Sequence, residues 1–220
     1  YANYEEGFIG SSLKRGEGEF VCECSDIDDI IIFRRDGKMM VTRISSKAFV
    51  GKDILEVRVW KKGDSRTVYN LIYLDGKGGR TMMKRFSVTS ITRDKEYDLT
   101  KGKAGSSILY FTANPNGEAE IVSIFLRRVQ RVKKLKFDID FSELAIKGRA
   151  AGGNIVSKYG VKKIELKEKG VSTLGAIKIW YDETVRKLNS DGRGVLLGDF
   201  MPNDRLLVFL DTGEYKLIGF

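Results

Sequence analysis

The sequence predicts an all-β chain built from a repeated hairpin unit, with about five four-stranded blades set around an axis as in a propeller. Three observations carry this. Proline is nearly absent, at Pro115 and Pro202 only, while 24 glycines fall between apolar, β-branched runs. Pairs such as Asp-Gly and Asn-Gly, which supply the positive φ a tight hairpin turn needs, sit between those runs. The pattern recurs at about 40 to 45 residues, the length of a four-stranded blade.

The first hairpin is DDIIIFRRDGKMMVTRIS, with Ile30 to Phe33, a turn at Asp36-Gly37, and a return from Met39 to Ile44. YNLIYLDGKGGRTMMKRFSV predicts a second around Asp75-Gly76. ILYFTANPNGEAEIVSIFL predicts a third around Asn116-Gly117, and LLVFLDTGEYKLIGF a last one around Thr212-Gly213. No stretch holds a 3.6-residue apolar period, and FSELAI suits one helical turn. Gly37 to Gly76 spans 39 residues and Gly76 to Gly117 spans 41. At an offset of 176, Gly16, Gly18, Asp28, Phe33 and Gly37 fall on Gly192, Gly194, Asp204, Phe209 and Gly213. That offset is four times 44, so the two segments read as the first and fifth copies of one unit; a β-sandwich whose hairpins look alike by chance is the competing reading. GFIGSSL from residue 7 is echoed by AFVGKDI from residue 48.

The 220 residues suffice to bury a core and are expected to form one domain, residues 1–220. The chain starts at Tyr1, so it is expected to be a fragment of a larger subunit. Lys and Arg number 39 against 30 acids, a formal +9, which suits a polyanion partner. No apolar run is long enough for a membrane span. With no histidine, the commonest general base and the Ser-His and Cys-His nucleophile pairs are missing. Cys22 and Cys24, two apart, make a poor disulfide and a poor zinc site, and suit a reducing compartment. The acids Asp26, Asp28 and Asp29 in SDIDD read as turn caps ahead of a strand rather than as a catalytic group. The expectation is a fragment that is not itself catalytic.

Cations concentrate in RRVQRVKKLK, residues 127–136, and at turns or strand ends. The candidate nucleic-acid contacts are Arg34, Arg35, Lys38, Lys77, Arg80, Lys84 and Arg85, with Lys147, Arg149 and Lys158 on and after KGRAAGGN. On a rim they would form a curved, salt-sensitive phosphate track. Lys147 and Arg149 stand two apart on a loop of small residues, so both could face one phosphate backbone. The competing reading of each cation is a solvated strand edge, and of the loop a glycine-rich turn. A protein-interaction propeller with incidental basic charge is the alternative for the whole chain.

IKGRAAGGNIV resembles the G-R-x-x-x-G blade motif of the C-terminal domains of bacterial type IIA topoisomerase A subunits. DRLLVFLDTGEYKLIGF and the first two hairpins resemble their recurring blade hairpin, and YFTANPNGEAEIV is more similar to the topoisomerase IV A subunit than to gyrase. The gyrase box Q-R-R-G-G-[KR]-G has no match, which favours a topoisomerase IV-type, non-wrapping domain or a gyrase fragment that lacks the box. The resemblance implies a β-pinwheel that binds and bends duplex DNA and presents it to an upstream strand-passage core. The parent enzyme would be an ATP-dependent type II topoisomerase, cytoplasmic and nucleoid-associated, assembled from a second A subunit and B subunits. ATP and Mg2+ would belong to the B subunit, leaving this fragment without a cofactor and none of its tyrosines catalytic.

Overall fold

The structure, a computed structural model, describes residues 1–14, 16–128, 132–201 and 204–219. These residues form strands and turns with one short 3-10 turn, Phe141–Glu143, inside the FSELAI segment. None of their helices is long and apolar enough to cross a membrane. They divide into two compact units, Tyr1–Gly170 and Val171–Phe220.

The first unit begins with β1 (Ala2–Asn3), β2 (Phe8–Ile9), β3 (Asp29–Arg34), β4 (Lys38–Arg43), β5 (Ala48–Phe49) and β6 (Ile54–Trp60). β3 and β4 are the predicted first hairpin, with Phe33 opposite Met39 and Ile31 opposite Val41. Its turn closes by the Gly37 N–H donating to the Arg34 carbonyl at 3.1 Å, and Gly37 takes φ +85°, which an L side chain rarely adopts. β6 pairs with the free side of β3. The two echoed segments become neighbours, since Phe8 of β2 faces Phe49 of β5 and Ile9 faces Ala48.

The unit continues with β7 (Val68–Leu74), β8 (Thr81–Ser87), β9 (Tyr97–Asp98), β10 (Ser107–Asn114), β11 (Glu118–Leu126), β12 (Lys136–Asp140), β13 (Ile146–Gly148), β14 (Asn154–Ser157) and β15 (Val161–Ser172). β7 and β8 form the predicted second hairpin in register Val68↔Ser87 to Leu74↔Thr81. The third expected hairpin is corrected: β10 pairs with β7, whereas β11 lies between β12 and β15 in a different sheet. The Asn116-Gly117 turn therefore makes a corner between sheets. The carbonyls of Gly117 and Glu118 there accept from Arg85 of β8, an attachment that a hairpin turn would not need.

Four sheets result in this unit, ordered β1-β2-β5, β6-β3-β4-β9, β10-β7-β8-β13 with β14 also on β8, and β12-β11-β15. The blades are thus unequal, with three, four, five and three strands. Each sheet packs its apolar face on the next. Ile31, Phe33, Met39 and Val41 of the β3-β4 hairpin meet Tyr69, Leu71, Tyr73 and Phe86 of β7 and β8 in one buried cluster. Phe33 stands 4.6 Å, ring to ring, from both Tyr69 and Phe111. Such pairs contribute about 0.5–1.5 kcal/mol each beyond their buried area. On its other side the β7-β8 sheet contributes Ile72 to a second cluster with Val122, Ile124 and Phe141. Covered on both faces, β7 reads as the nearly continuous apolar run VYNLIYL, buried throughout except Leu74.

The second unit holds β16 (Ile177–Asp182), β17 (Lys187–Asn189), β18 (Val195–Phe200), β19 (Leu206–Phe209) and β20 (Tyr215–Ile218). β16 is flanked by β17 and β18, and β19 and β20 form the predicted last hairpin. The repeat offset holds at the level of single bonds. Phe209 faces Tyr215 and Leu207 faces Leu217, as Phe33 faces Met39 and Ile31 faces Val41. Asp204 accepts from the Met201 N–H at 2.8 Å, as Asp28 accepts from the Ser25 N–H at 2.7 Å. Gly213 takes φ +83° against +85° at Gly37. Asp28 and its copy Asp204 are turn caps, the role expected for the SDIDD acids.

Candidate nucleic-acid interface

The ten candidate cations fall into two populations. Lys84 and Arg85 are neighbours on β8, so they point to opposite faces, and that sheet is covered on both. Lys84 is 3 % exposed and Arg85 2 %. Neither can reach a phosphate, which corrects the expectation for both.

Lys84 explains the small residues of KGRAAGGN. β13 runs parallel to Arg85–Ser87 of β8, and β14 returns antiparallel along Thr81–Met83. The loop between them arches over Lys84, whose Nζ donates to the carbonyls of Arg149 at 2.6 Å and Ala151 at 3.0 Å. The Tyr73 hydroxyl donates to the Gly152 carbonyl at 2.5 Å. Gly153 takes φ +80°, and a Cβ there would lie 2.3 Å from the Met83 carbonyl oxygen. A bulky loop could not lie this flat. Burial pushes the Lys84 ammonium down to about 8, with Asp98 pulling it back only in part. Arg149 is turned inward to the sheets: its Nη1 donates to the Ser90 carbonyl at 2.7 Å and its guanidinium stacks 4.2 Å from the Tyr97 ring of β9. It ties the β8 sheet to the β4-β9 edge and is half-buried there, a packing role that the sequence did not suggest. Lys147 remains exposed.

Arg85 sits on the other face in a buried polar network. Its Nε donates to Asn70 Oδ1 at 3.1 Å and its Nη2 to the Gly117 carbonyl at 2.5 Å. Asn70 Nδ2 donates to Glu120 Oε2 at 2.7 Å, and the Thr112 hydroxyl donates to Glu120 Oε1. Burial draws the Arg85 guanidinium below its ordinary range, and Glu120 opposes this. Arg34 is likewise committed. It donates to the Val50 carbonyl at 2.9 Å and pairs with Asp36 at 2.9 Å and Glu96 at 2.6 Å. Lys38 pairs with Asp98 at 2.9 Å, a contact that holds the Asp98 carboxyl below its usual range against the opposing effect of burial. Arg34 and Lys38 are therefore internal ties with part of their surface showing.

Arg35, Lys77, Arg80, Lys147 and Lys158 are exposed, and among the described residues no carboxylate pairs with them. The structure brings two of the five together. Arg80 and Lys158 line one open groove of about 430 Å3 with Lys134, over a floor that includes Leu126, Val132, Phe137, Ile155 and Tyr159. Exposed Arg127, Lys133 and Lys136 lie close by along the chain. Lys136 and Lys163 both approach the Phe125 ring, at 5.1 and 4.5 Å. Sequence reasoning named the run that holds Lys134 but did not join it to Arg80 and Lys158, because β14 and β12 bring them together only in the fold. Of RRVQRVKKLK, residues 129–131 lie outside the described residues.

The fold and surface define a basic, all-β repeat module in which Arg80, Lys134 and Lys158 share one groove and the buried cations serve as internal ties. The family model for the topoisomerase C-terminal domain of Bacteroidota matches residues 1–169, and the chain belongs to that family. Among solved structures, the crystal structure of the C-terminal domain of DNA topoisomerase IV is similar at 12% identity, covering 87% of this chain and 69% of that one, with a TM-score of 0.43. No curated protein sequence matches the chain.

Proposed function

We propose that the chain is a non-catalytic module that binds and bends duplex DNA, presenting it to the strand-passage core of a type IIA topoisomerase of which it is part of the A subunit. The observation that carries this reading is the groove of Arg80, Lys134 and Lys158, three cations lining one open concavity on a chain of net charge +9. Unpaired cations in one groove are arranged for phosphate oxygens, since each bound phosphate releases condensed counterions. The succession of small sheets packed face on face suits the pinwheel reading, in which a curved outer surface bends what it binds. Lacking the gyrase box, the module is of the topoisomerase IV type. It works in the cytoplasm at the nucleoid, with a second A subunit and with B subunits that carry ATP and Mg2+.

The test is fluorescence anisotropy with a labelled duplex over a salt series. Replacing Arg80, Lys134 and Lys158 by Ala should weaken binding equally for unrelated sequences and lower the salt slope by about 2 to 3, at roughly 0.9 per lost phosphate contact. Stability should stay within about 0.5 kcal/mol, because these side chains are exposed. Unchanged affinity and slope would refute the assignment. Binding insensitive to salt would point instead to a protein-interaction module.

A further inference from the structure

Twelve of the nineteen large apolar side chains exposed among the described residues belong to the unit Val171–Phe220, which holds less than a quarter of the chain. The repeat shows what such a surface is built for. In the first unit, Ile31, Phe33, Met39 and Val41 line one face of the β3-β4 hairpin and are at most 1 % exposed, packed on the aromatic side chains of a neighbouring sheet. Their counterparts in the β19-β20 hairpin, in the same register, are Leu207 at 54 %, Phe209 at 75 %, Tyr215 at 71 % and Leu217 at 57 %. Identical hairpin geometry thus presents a sheet-packing face that is covered in one copy and open in the other.

We infer that the Leu207–Phe209–Tyr215–Leu217 face is a self-association surface, on which a second copy of this chain seats the same face. Three features commit it to that occupant. The face carries no charge: β19 has none, and Lys216 of β20 projects from the opposite side of the strand. It is self-complementary, because Phe209 and Tyr215 offer the aromatic side chains that the equivalent face meets in the first unit, so two copies close about a two-fold axis. The area is sufficient. Two rings of about 200 Å2 each, exposed as they are, with the two leucines, give roughly 500 Å2 per copy and about 1,000 Å2 in all, the lower bound for a specific interface. An isolated two-stranded hairpin is marginal in water, so covering this face also secures the hairpin.

The test is sedimentation equilibrium of the whole chain from about 5 to about 300 μM, a range suited to an interface at the lower size bound. The average mass should rise toward twice the monomer and stay unchanged when salt is raised from about 0.1 to about 0.5 M, since an apolar contact is not screened. Phe209→Ser and Leu217→Ser should each weaken association tenfold or more. Because those variants can loosen the hairpin itself, a second arm keeps Leu207, Phe209 and Leu217 in place. In a chain carrying Cys22→Ser and Cys24→Ser, Tyr215→Cys should form a disulfide-linked dimer on oxidation by oxidised glutathione, and Lys216→Cys should not. A monomer throughout the range, a dimer untouched by the serine variants, or equal cross-linking from both faces would each overturn the inference.

Discussion

Lys84→Met should abolish a rise in stability that the native chain shows between pH 8 and 10. Lys84 is buried against two carbonyls, and its ammonium titrates at about 8 rather than at the ordinary 10.5. Between those values the unfolded chain still holds a proton that the folded chain has released, so stability increases with pH. Two pH intervals at about 1.4 kcal/mol each make this roughly 2 to 3 kcal/mol by pH 10. The neutral amine keeps donors for both carbonyls, so the loop stays clasped. Above pH 10 the curve turns down, because burial holds the phenols of Tyr69, Tyr73 and Tyr110 protonated in the folded chain while they ionise in the unfolded one. Below pH 10 Tyr97 adds a slight rise of its own in both proteins, its phenol drawn down chiefly by its hydrogen bond with Thr92. At pH 7 the substitution is a near balance. Two carbonyls left without a donor cost about 1–3 kcal/mol each, and removal of the buried charge returns about 3. The slope is therefore the diagnostic, read from urea unfolding at half-unit steps of pH. A variant whose stability rises from pH 8 to 10 as steeply as the native chain would refute the reasoning.

Arg85→Leu should lower stability by about 3 kcal/mol or more in urea unfolding without changing the denaturant slope, because it removes the positive charge that faces the buried Glu120 carboxylate and the donor that reaches the Gly117 and Glu118 carbonyls. The two cations of KGRAAGGN should separate. Arg149→Ala should cost about 1–2 kcal/mol of stability, through its bond to the Ser90 carbonyl and its stack on Tyr97, and leave the salt slope of DNA binding unchanged. Lys147→Ala should leave stability within about 0.5 kcal/mol and lower that slope by about 0.9. The reverse pattern in anisotropy and thermal melts would place the phosphate contact on Arg149.

The hairpins at Asp36-Gly37, Asp75-Gly76 and Thr212-Gly213 were legible because their turn chemistry is local, and the 176-residue offset survived down to the register of Phe209 opposite Tyr215. The Asn116-Gly117 corner was not. Asn-Gly fixes a reversal of the chain but not which strand each arm pairs with, and β7 holds β10 away from β11. In the candidate interface, Arg35, Lys77, Arg80, Lys147 and Lys158 are exposed. Lys84 and Arg85 misled because alternation in MMKRFS assigns them to two faces but says nothing of what covers those faces. Their acceptors lie at Arg149, Ala151, Gly117 and Glu118, brought close only by sheets that pack later in the chain. The packing of Arg149 was hidden in the same way, since its ring partner Tyr97 belongs to a two-residue strand with no sequence signature of its own.

The agreement between the β3-β4 and β19-β20 hairpins bears on how such a chain can lengthen. Asp28 and Asp204 satisfy their own turns, and Gly37 and Gly213 close their own reversals, with bonds made inside each segment. A duplicated gene segment would carry that whole set with it, so the course of its turn would be specified before any neighbour had adapted to it. The one thing a new copy must find elsewhere is cover for its apolar face. Selection on a young repeat would therefore fall on that face, while the turn inherited from its parent stayed the same.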